Sequence, residues 1–234
     1  KAIPGLFNEI TSAEIDNYLA ETAASLTVEH PDYSYLAARV KANALHKETP
    51  GFVIATKNLY EDGLLKQEYY NKVMENADVI ESIIDYDRDY HFDYFALTTL
   101  TRAYLLKYEN KTIERPQDLW MRVALTVSSN EYSYEKVKRT YHALSNGYYT
   151  HATPTLFNSG LKMQQLSSCF LIGMEDDSIE GIFNTIKDCA LISKTAGGIG
   201  MHAHNIRASG SRIKSTNGKS NGLIPFLKIF NETA

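Results

Sequence analysis

Apolar residues recur at helical spacing through the first 150 residues, and few segments there alternate like a strand. After Thr11 and Ser12, either of which can cap a helix, Ile15, Leu19 and Leu26 fall on one face. Pro31 can open a second helix, which Pro50-Gly51 can stop. Further helical runs are predicted near 66–84, 92–107, 116–128 and 133–147. The pattern therefore predicts a mainly α N-terminal region.

The pattern changes near Thr150. The next segment, HATPTLFNSG, is rich in turn-forming and hydroxylic residues, and the segment SSCFLIGM reads as a short buried strand. We therefore predict a domain boundary here, with a helical domain over 1–149 and a second domain over 150–234.

The second domain contains the clearest helical pattern of the chain, DDSIEGIFNTIKDCALISKTAGG. Asp177 is predicted as the N-cap of this helix with Glu180 at N3, and Gly197-Gly198 is predicted to end it. A strand (GIGMHAHNI), a loop (RASGSRIKSTNGKSNG) and a helix within LIPFLKIFNETA follow. The chain ends inside that last helix, so we expect a fragment. In the helix predicted after Asp177, one face carries apolar and small residues, namely Ile179, Ile182, Phe183, Ile186, Cys189 and Ala190.

The composition is that of a globular protein. Of the 234 residues, 44% are hydrophobic and 22% are charged. No run approaches the roughly 18 apolar residues of a membrane span, and the N-terminus lacks the pattern of a signal peptide. Two cysteines are too few for a disulfide scaffold or a cysteine-based zinc site, which favours a reducing compartment. We expect a cytoplasmic protein without a membrane partner.

The net charge of −4 hides an uneven distribution. Residues 1–188 hold 18 basic and 27 acidic residues, whereas residues 189–231 hold six basic residues and no acidic one. A local cationic stretch in an acidic protein favours a compact anionic ligand over nucleic acid, because the remaining surface would repel a long polyanion. A solvated loop is the alternative interpretation of this stretch.

Short motifs assign little chemistry by themselves. The segment TAGGIG lacks the spacing and the strand-to-helix order of a dinucleotide-binding loop. His202 and His204 alternate along one strand face without a third ligand at suitable spacing, so no metal site is predicted. Cys169 and Cys189 both have an ordinary explanation as small core residues, although Cys189 fits it better because it lies on the apolar helix face.

Several long segments together resemble the large, catalytic subunit of class I ribonucleotide reductase. They occur in the family's order and cover almost the whole chain. The resemblance implies a mainly α chain, with a helical N-terminal domain followed by the first elements of a ten-stranded α/β barrel. The similar segments include HATPTLFNSG, LSSCFL, DDSIEGIFNTIKDCALISKTAGGIG, NIRASGSRI and TNGKSNGL, and upstream IIDYDRDYHFDYFALTTLTRAYLLK and ERPQDLWMRVAL.

That family reduces ribonucleoside diphosphates to deoxyribonucleoside diphosphates by thiyl-radical chemistry. The resemblance matches Cys169 to the first member of its redox cysteine pair, whereas Cys189 does not match the second. Thr153 and Ser168 match hydroxyls that hold the substrate, and Gly197 matches a backbone position lining that site. The family's other catalytic residues lie beyond the end of this chain, so we expect the fragment alone to be inactive.

The resemblance also gives the cationic loop a role in an allosteric specificity site, which binds a deoxynucleoside triphosphate or ATP. Asp177, Ser178 and Ile179 match the ribose and base contacts of that site. The matched residues on its phosphate side are Lys194, Arg207, Lys214 and Ser215.

The implied partners are a second copy of the chain, contacting helices 178–194 and 222–234, and a metal-containing small subunit that generates the radical. An external dithiol of the thioredoxin or glutaredoxin type is the implied reductant, and no cofactor is expected in this chain itself. Two alternatives remain from the residues alone. One is a helical dimerisation module that binds no nucleotide, and the other is a nonenzymatic anion-binding domain in which Cys169 never changes redox state.

Overall fold

The computed structural model describes residues 2–128 and 133–234. The chain divides into two compact units. The first unit comprises Lys1–His151 and Ser159–Gln164, and the second comprises Ala152–Asn158 and Gln165–Ala234. Within the described residues, no helix combines the length and the apolar character that crossing a bilayer would require.

In the part of the first unit that the structure describes, the only strands form a short antiparallel hairpin, β1 (Lys107–Tyr108) with β2 (Lys111–Thr112), and the other regular elements are helical. A 3₁₀ segment spans Tyr86–His91, and a π-helical turn spans Leu100–Tyr104. Its α-helices are α1 (Ser12–Ser25), α2 (Asp32–Glu48), α3 (Phe52–Glu61), α4 (Gln67–Glu75), α5 (Ala77–Ile83), α6 (Tyr94–Thr99), α7 (Pro116–Val127) and α8 (Tyr134–Ser145).

Local signals explain where the first helices begin and end. Of the two predicted caps of α1, Thr11 is the one used: its hydroxyl accepts the Glu14 N–H, and the Glu14 carboxylate accepts the Thr11 N–H. Helix α2 ends at Glu48, shortly before Pro50. The run predicted over 66–84 is interrupted at Asn76, where the backbone leaves the helical region.

The core of the first unit is built around α7, which is buried on nearly every side. Leu119, Met121 and Leu125 are fully enclosed, and so are the polar residues Gln117 and Arg122 of the same helix. A helix buried all round needs partners for its polar side chains, because an unpaired buried polar group is costly. These partners come from within the first unit, as the hydrogen bonds of Gln117 to Asp89 and of Arg122 to Glu114 show.

The second unit contains a parallel pair of strands joined by a helix. Strand β3 (Cys169–Gly173) pairs with β4 (Gly198–His202), with Cys169 opposite Gly198, and α10 (Ile179–Ser193) makes the crossover between them. Two further helices flank this βαβ element, α9 (Thr153–Asn158) before β3 and α11 (Ile224–Thr233) after β4.

The sequence pattern predicted turns where α9 is found. Hydrogen bonds from outside the helix hold this short element, since Thr155 Oγ1 donates to the Leu166 carbonyl and Asn158 Nδ2 donates to the Gln165 carbonyl. Local propensity takes no account of such tertiary contacts. A segment rich in turn-forming residues can therefore be helical here.

Helix α10 covers the strand pair with only part of its apolar face. Ile182 and Cys189 are buried with Met174 and Phe230 in one cluster. Ile179 and Phe183, which the sequence places on the same face, remain 68% and 53% exposed. The apolar stripe of α10 is therefore wider than the surface that the second unit covers.

Candidate functional site

The N-terminus of α10 differs from the sequence prediction in its cap. The Ser178 hydroxyl accepts the Gly181 N–H at 2.9 Å, so Ser178 is the N-cap and Glu180 occupies N2 rather than N3. The prediction that Asp177 caps this helix was wrong. Serine and aspartate cap equally well, and here the Asp177 carboxylate binds a partner outside the helix.

That partner is Arg207, thirty residues further along the chain. The Arg207 guanidinium donates through Nε to the Asp177 carboxylate and through Nη2 to the Asp177 backbone carbonyl, 3.0 Å away. Both side chains are about one-third exposed, 37% for Arg207 and 28% for Asp177. The ion pair therefore ties the segment after β4 to the start of α10.

The basic loop that follows Arg207 folds back on itself. Its two arms are joined by an antiparallel bridge between Arg212 and Lys219, and the Ile213 N–H donates to the Gly218 carbonyl at 2.8 Å. At the tip Asn217 adopts a left-handed conformation with φ of 54°, which asparagine tolerates better than most residues. The loop therefore has a defined hairpin conformation.

A cavity of about 680 Å³ lies between this hairpin and the start of α10. Its size is typical of small-molecule sites, which range from about 300 to 1,000 Å³. Its lining combines four apolar side chains, four serine hydroxyls, one carboxylate and three cations. The lining residues are Asp177, Ser178, Ile179, Ile182, Arg207, Ser211, Arg212, Ile213, Lys214, Ser215, Ser220 and Phe226.

Six of the seven residues predicted for the effector site line this one cavity, although the sequence separates them into 177–179 and 207–215. The seventh, Lys194, is at the other end of α10, where it forms the C-cap. The helix rise of 1.5 Å per residue puts it roughly 24 Å from Ser178 along the helix axis. Lys194 therefore does not line the cavity of its own chain.

Three of the four residues predicted for substrate binding and redox chemistry, Ser168, Cys169 and Gly197, lie where β3 and β4 begin. The Gly198 N–H donates to the Ser168 carbonyl at 2.7 Å, which places Gly197 beside the Ser168-Cys169 pair. A Cβ on Gly197 would come within 2.7 Å of Ile192 Cγ2 and 2.9 Å of Phe170 Cε2, so the close packing here requires glycine.

Helix α9, which begins at Thr153, is tied to this same region. Asn158 Nδ2 donates to the Thr195 carbonyl as well as to that of Gln165, at 3.3 and 2.8 Å. These bonds connect α9 both to the segment leading into β3 and to the turn leading into β4. Ser168, Cys169 and Gly197 are thus adjacent, and the helix that starts at Thr153 is anchored beside them.

The two cysteines differ in accessibility. Cys169 is an exposed free thiol at the start of β3, whereas Cys189 is 2% exposed in the cluster under α10. Burial, together with the Asp188 carboxylate, raises the pKa of the Cys189 thiol, which lowers its thiolate fraction. Of the two cysteines, only Cys169 is an exposed residue.

The histidine pair of β4 makes an internal contact. Nδ1 of His202 and Nδ1 of His204 lie 2.8 Å apart, so one of these nitrogens donates a hydrogen bond to the other. Among residues 2–128 and 133–234, no group of three His, Cys, Asp or Glu side chains is arranged to hold a metal ion.

Sequence reasoning assigned no ligand-binding role to the other six residues of the cavity. Four of them belong to the hairpin, one to α10 and one to α11: Ser211, Arg212, Ile213, Ser220, Ile182 and Phe226. The available signal was the count of cations without acids over 189–231, which includes Arg212 but does not show which cations face a cavity.

Comparison with known proteins identifies the family of the chain. Residues 90–164 match the family model described as ribonucleotide reductase, all-alpha domain, and residues 167–234 match the one described as ribonucleotide reductase, barrel domain. The whole chain aligns with a Saccharomyces cerevisiae protein named ribonucleoside-diphosphate reductase large chain 2, at 49% identity over 28% of that protein's length.

Other relatives give the same result. The large subunits of ribonucleoside-diphosphate reductase from Arabidopsis thaliana and Variola virus are each 46% identical to the whole chain. The chain spans 30% and 31% of the length of these two relatives. With two family models matched in succession and such identities over its full length, the chain belongs to the family of ribonucleotide reductase large subunits.

Proposed function

We propose that the full-length protein reduces ribonucleoside diphosphates to deoxyribonucleoside diphosphates, and that the cavity between α10 and the hairpin binds the nucleoside triphosphate that controls substrate choice. One observation carries this proposal: residues matched to the effector site, thirty positions apart in the sequence, line a single cavity. A helical dimerisation module that binds no nucleotide would not require this combination of carboxylate, hydroxyls, cations and apolar side chains. A nonenzymatic anion-binding domain would not require it either.

The composition of the cavity suits the parts of a nucleotide. Ile179, Ile213 and Phe226 offer apolar surface to a base, and the Asp177 carboxylate can accept a hydrogen bond from a ribose hydroxyl. Arg207 and Lys214 offer charge to the phosphates. Hydrogen bonds between a charged donor and phosphate are the stronger kind, about 1.5 to 3 kcal/mol each.

Calorimetric titration of the full-length protein with deoxynucleoside and ribonucleoside triphosphates tests this assignment. We expect Arg207→Ala to weaken triphosphate binding by one to two orders of magnitude, whereas Asp177→Ala should mainly change the ratio of deoxyribose to ribose affinity. Lys219→Ala is the matched control, because Lys219 is an exposed cation of the hairpin that does not line the cavity. Unchanged affinities in both cavity variants would show that the effector binds elsewhere.

For the chemical step, we propose Cys169 as one member of the thiol pair that supplies the electrons. Breaking the ribose 2′ carbon–oxygen bond releases the oxygen as water; two thiols provide the two electrons and two protons and join as a disulfide. An external dithiol of the thioredoxin or glutaredoxin type then reopens that disulfide by exchange. The radical that starts the reaction would come from a metal-containing small subunit.

The exposure of Cys169 supports this assignment, and the burial of Cys189 argues against Cys189 as its partner. Full-length protein reconstituted with the small subunit should lose dithiol-supported turnover in Cys169→Ser and retain it in Cys189→Ala. Normal multiple turnover by Cys169→Ser would overturn the role of Cys169.

We also propose that residues 178–194 and 222–234 pair with their copies in a second chain. Apolar side chains on α10 and α11 remain exposed, among them Phe183, Leu191 and Ile224. Burying one such side chain stabilises an interface by roughly 1.5 to 3 kcal/mol. Sedimentation should therefore show weaker self-association for Phe183→Asp than for the control Ile54→Asp, which alters an exposed apolar residue of α3. A wild-type protein that stays monomeric at high concentration would contradict this.

A further inference from the structure

The three cations that line the cavity differ in whether a carboxylate of the protein already pairs with them. The charge of Arg207 is engaged by the Asp177 carboxylate and carbonyl. Arg212 and Lys214 line the same cavity, and neither has a carboxylate within ion-pair distance in the part of the chain that the structure describes. A phosphate group therefore competes with Asp177 for Arg207 but meets no acidic competitor at Arg212.

Arg212 is also held in place. Its Nη2 donates to Asn217 Oδ1 at 2.7 Å, across the turn that the hairpin makes. A guanidinium has five N–H donors, so one hydrogen bond to an amide oxygen leaves enough donors for a bidentate contact, with two parallel hydrogen bonds to phosphate. The planar group loses less freedom on binding when it is already oriented. The exposed side chain thus combines an uncompensated charge with a defined position.

We propose that Arg212 is a phosphate-binding residue of this cavity, and that Asn217 is its positioning residue. This assignment rests on the proposed function, which it deepens: the ligand class is a polyphosphate-bearing nucleotide, and Arg212 recognises the polyphosphate rather than the base or the sugar. Arg212 should therefore contribute equally to the binding of deoxynucleoside triphosphates, ribonucleoside triphosphates and inorganic triphosphate.

The test compares Arg212→Gln with Lys219→Gln in the full-length protein. Both variants remove one exposed positive charge from the same hairpin, and the two residues are bridged to each other, but Lys219 does not line the cavity. Titration with a deoxynucleoside triphosphate, the matching ribonucleotide and inorganic triphosphate should show a loss of at least tenfold in Arg212→Gln for all three. Lys219→Gln should lose less than threefold, and the ratio of deoxyribose to ribose affinity should not change in either.

Asn217 is tested by Asn217→Gly, because glycine keeps the left-handed backbone of the turn while removing the amide. A positioning role predicts a several-fold loss of triphosphate affinity in the wild-type background and no further loss in the Arg212→Gln background. A role limited to the fold of the hairpin predicts the same loss in both backgrounds and would overturn the assignment of Asn217.

The outcomes separate this inference from the proposal on which it rests. If wild-type protein binds no triphosphate, the proposed effector site fails and Arg212 with it. If wild-type protein binds and Arg207→Ala weakens binding while Arg212→Gln and Lys219→Gln behave alike, the effector site stands and the role of Arg212 is wrong. Arg212→Lys, which keeps the charge but not the planar fork, should retain intermediate affinity and provides a second variant if Arg212→Gln folds poorly.

Discussion

The two units of this chain use charged residues in opposite ways. In the first unit Glu114 and Arg122 are almost completely buried, and each is hydrogen-bonded to partners within the unit. In the second unit Arg212 and Lys214 are exposed beside a cavity and have no acidic partner among the described residues. Removing one partner of a buried ion pair destabilises the fold, whereas a charge without a partner at a cavity is available to a ligand.

The buried side of this comparison is centred on Arg122. Its guanidinium donates through Nε and Nη2 to the two carboxylate oxygens of Glu114 and through Nη1 to the Ser159 carbonyl at 2.8 Å. Glu114 also accepts the Leu106 N–H at 2.9 Å. The pair therefore joins α7 to two other segments of the first unit. Removing one member of such a pair leaves a buried charge without compensation.

The largest expected effect in the molecule is accordingly that of Glu114→Gln. We expect it to lower the free energy of unfolding by about 3 to 5 kcal/mol, because Arg122 would remain buried without a counter-charge. Denaturant unfolding followed by circular dichroism measures this loss. The control is Asp16→Asn, which breaks the Lys47–Asp16 pair at 2.7 Å. Lys47 is largely exposed in that pair, so the control should lose only about 0 to 1 kcal/mol. Similar losses in the two variants would remove the basis for the contrast between the units.

This contrast was only partly predictable from the sequence. Apolar periodicity predicted a helix at 116–128, and α7 is there, but its sequence does not reveal that Gln117 and Arg122 are buried along with its apolar residues. The partners of Arg122 are eight and thirty-seven positions away, beyond the reach of any helical spacing rule.

The contacts within the candidate site were likewise not predictable from local sequence. Resemblance to a known family identified Asp177 and Arg207 separately, but only the fold shows that they bind each other. Local pattern predicted Asp177 as the cap of α10, whereas Ser178 caps the helix and Asp177 binds a residue thirty positions away. Arg212 was missed because a charge count over 189–231 gives no information on which side chains face a cavity.

The second expected effect concerns the pH dependence of stability in the first unit. Burial is the main cause that raises the pKa of Asp118 to about 8, against the lowering effect of hydrogen bonds from the Arg115 N–H and the Tyr86 hydroxyl. In the unfolded chain this carboxyl would titrate near its ordinary value of 3.8. Between these two values the folded state holds a proton that the unfolded state has lost, so stability falls as pH rises from about 4 to 8.

Asp118→Asn tests this, because asparagine resembles the protonated carboxyl and does not titrate. Relative to the wild type, the variant should gain unfolding free energy as pH rises from 5 to 7, by at most about 1.4 kcal/mol per pH unit. Unfolding at pH 5, 6 and 7 measures the difference, in which the remaining titratable groups largely cancel. A difference that does not vary with pH would mean that Asp118 is ionised throughout this range in the folded protein, and that burial in the first unit does not control its charge.

The smallest expected effect separates structure from binding within the second unit itself. Ser178 caps α10 through its hydroxyl, and replacing a serine cap by alanine costs about 1 kcal/mol. Asp177 makes a partly exposed ion pair, for which a loss of about 0 to 1 kcal/mol is expected. In the absence of nucleotide, Ser178→Ala should therefore destabilise the protein more than Asp177→Ala does, whereas Asp177→Ala should have the larger effect on the ratio of deoxyribose to ribose affinity. If Asp177→Ala proves the more destabilising of the two, the ion pair with Arg207 is chiefly structural. The second unit would then use this charged pair as the first unit uses Glu114 and Arg122, although Arg212 and Lys214 are exposed.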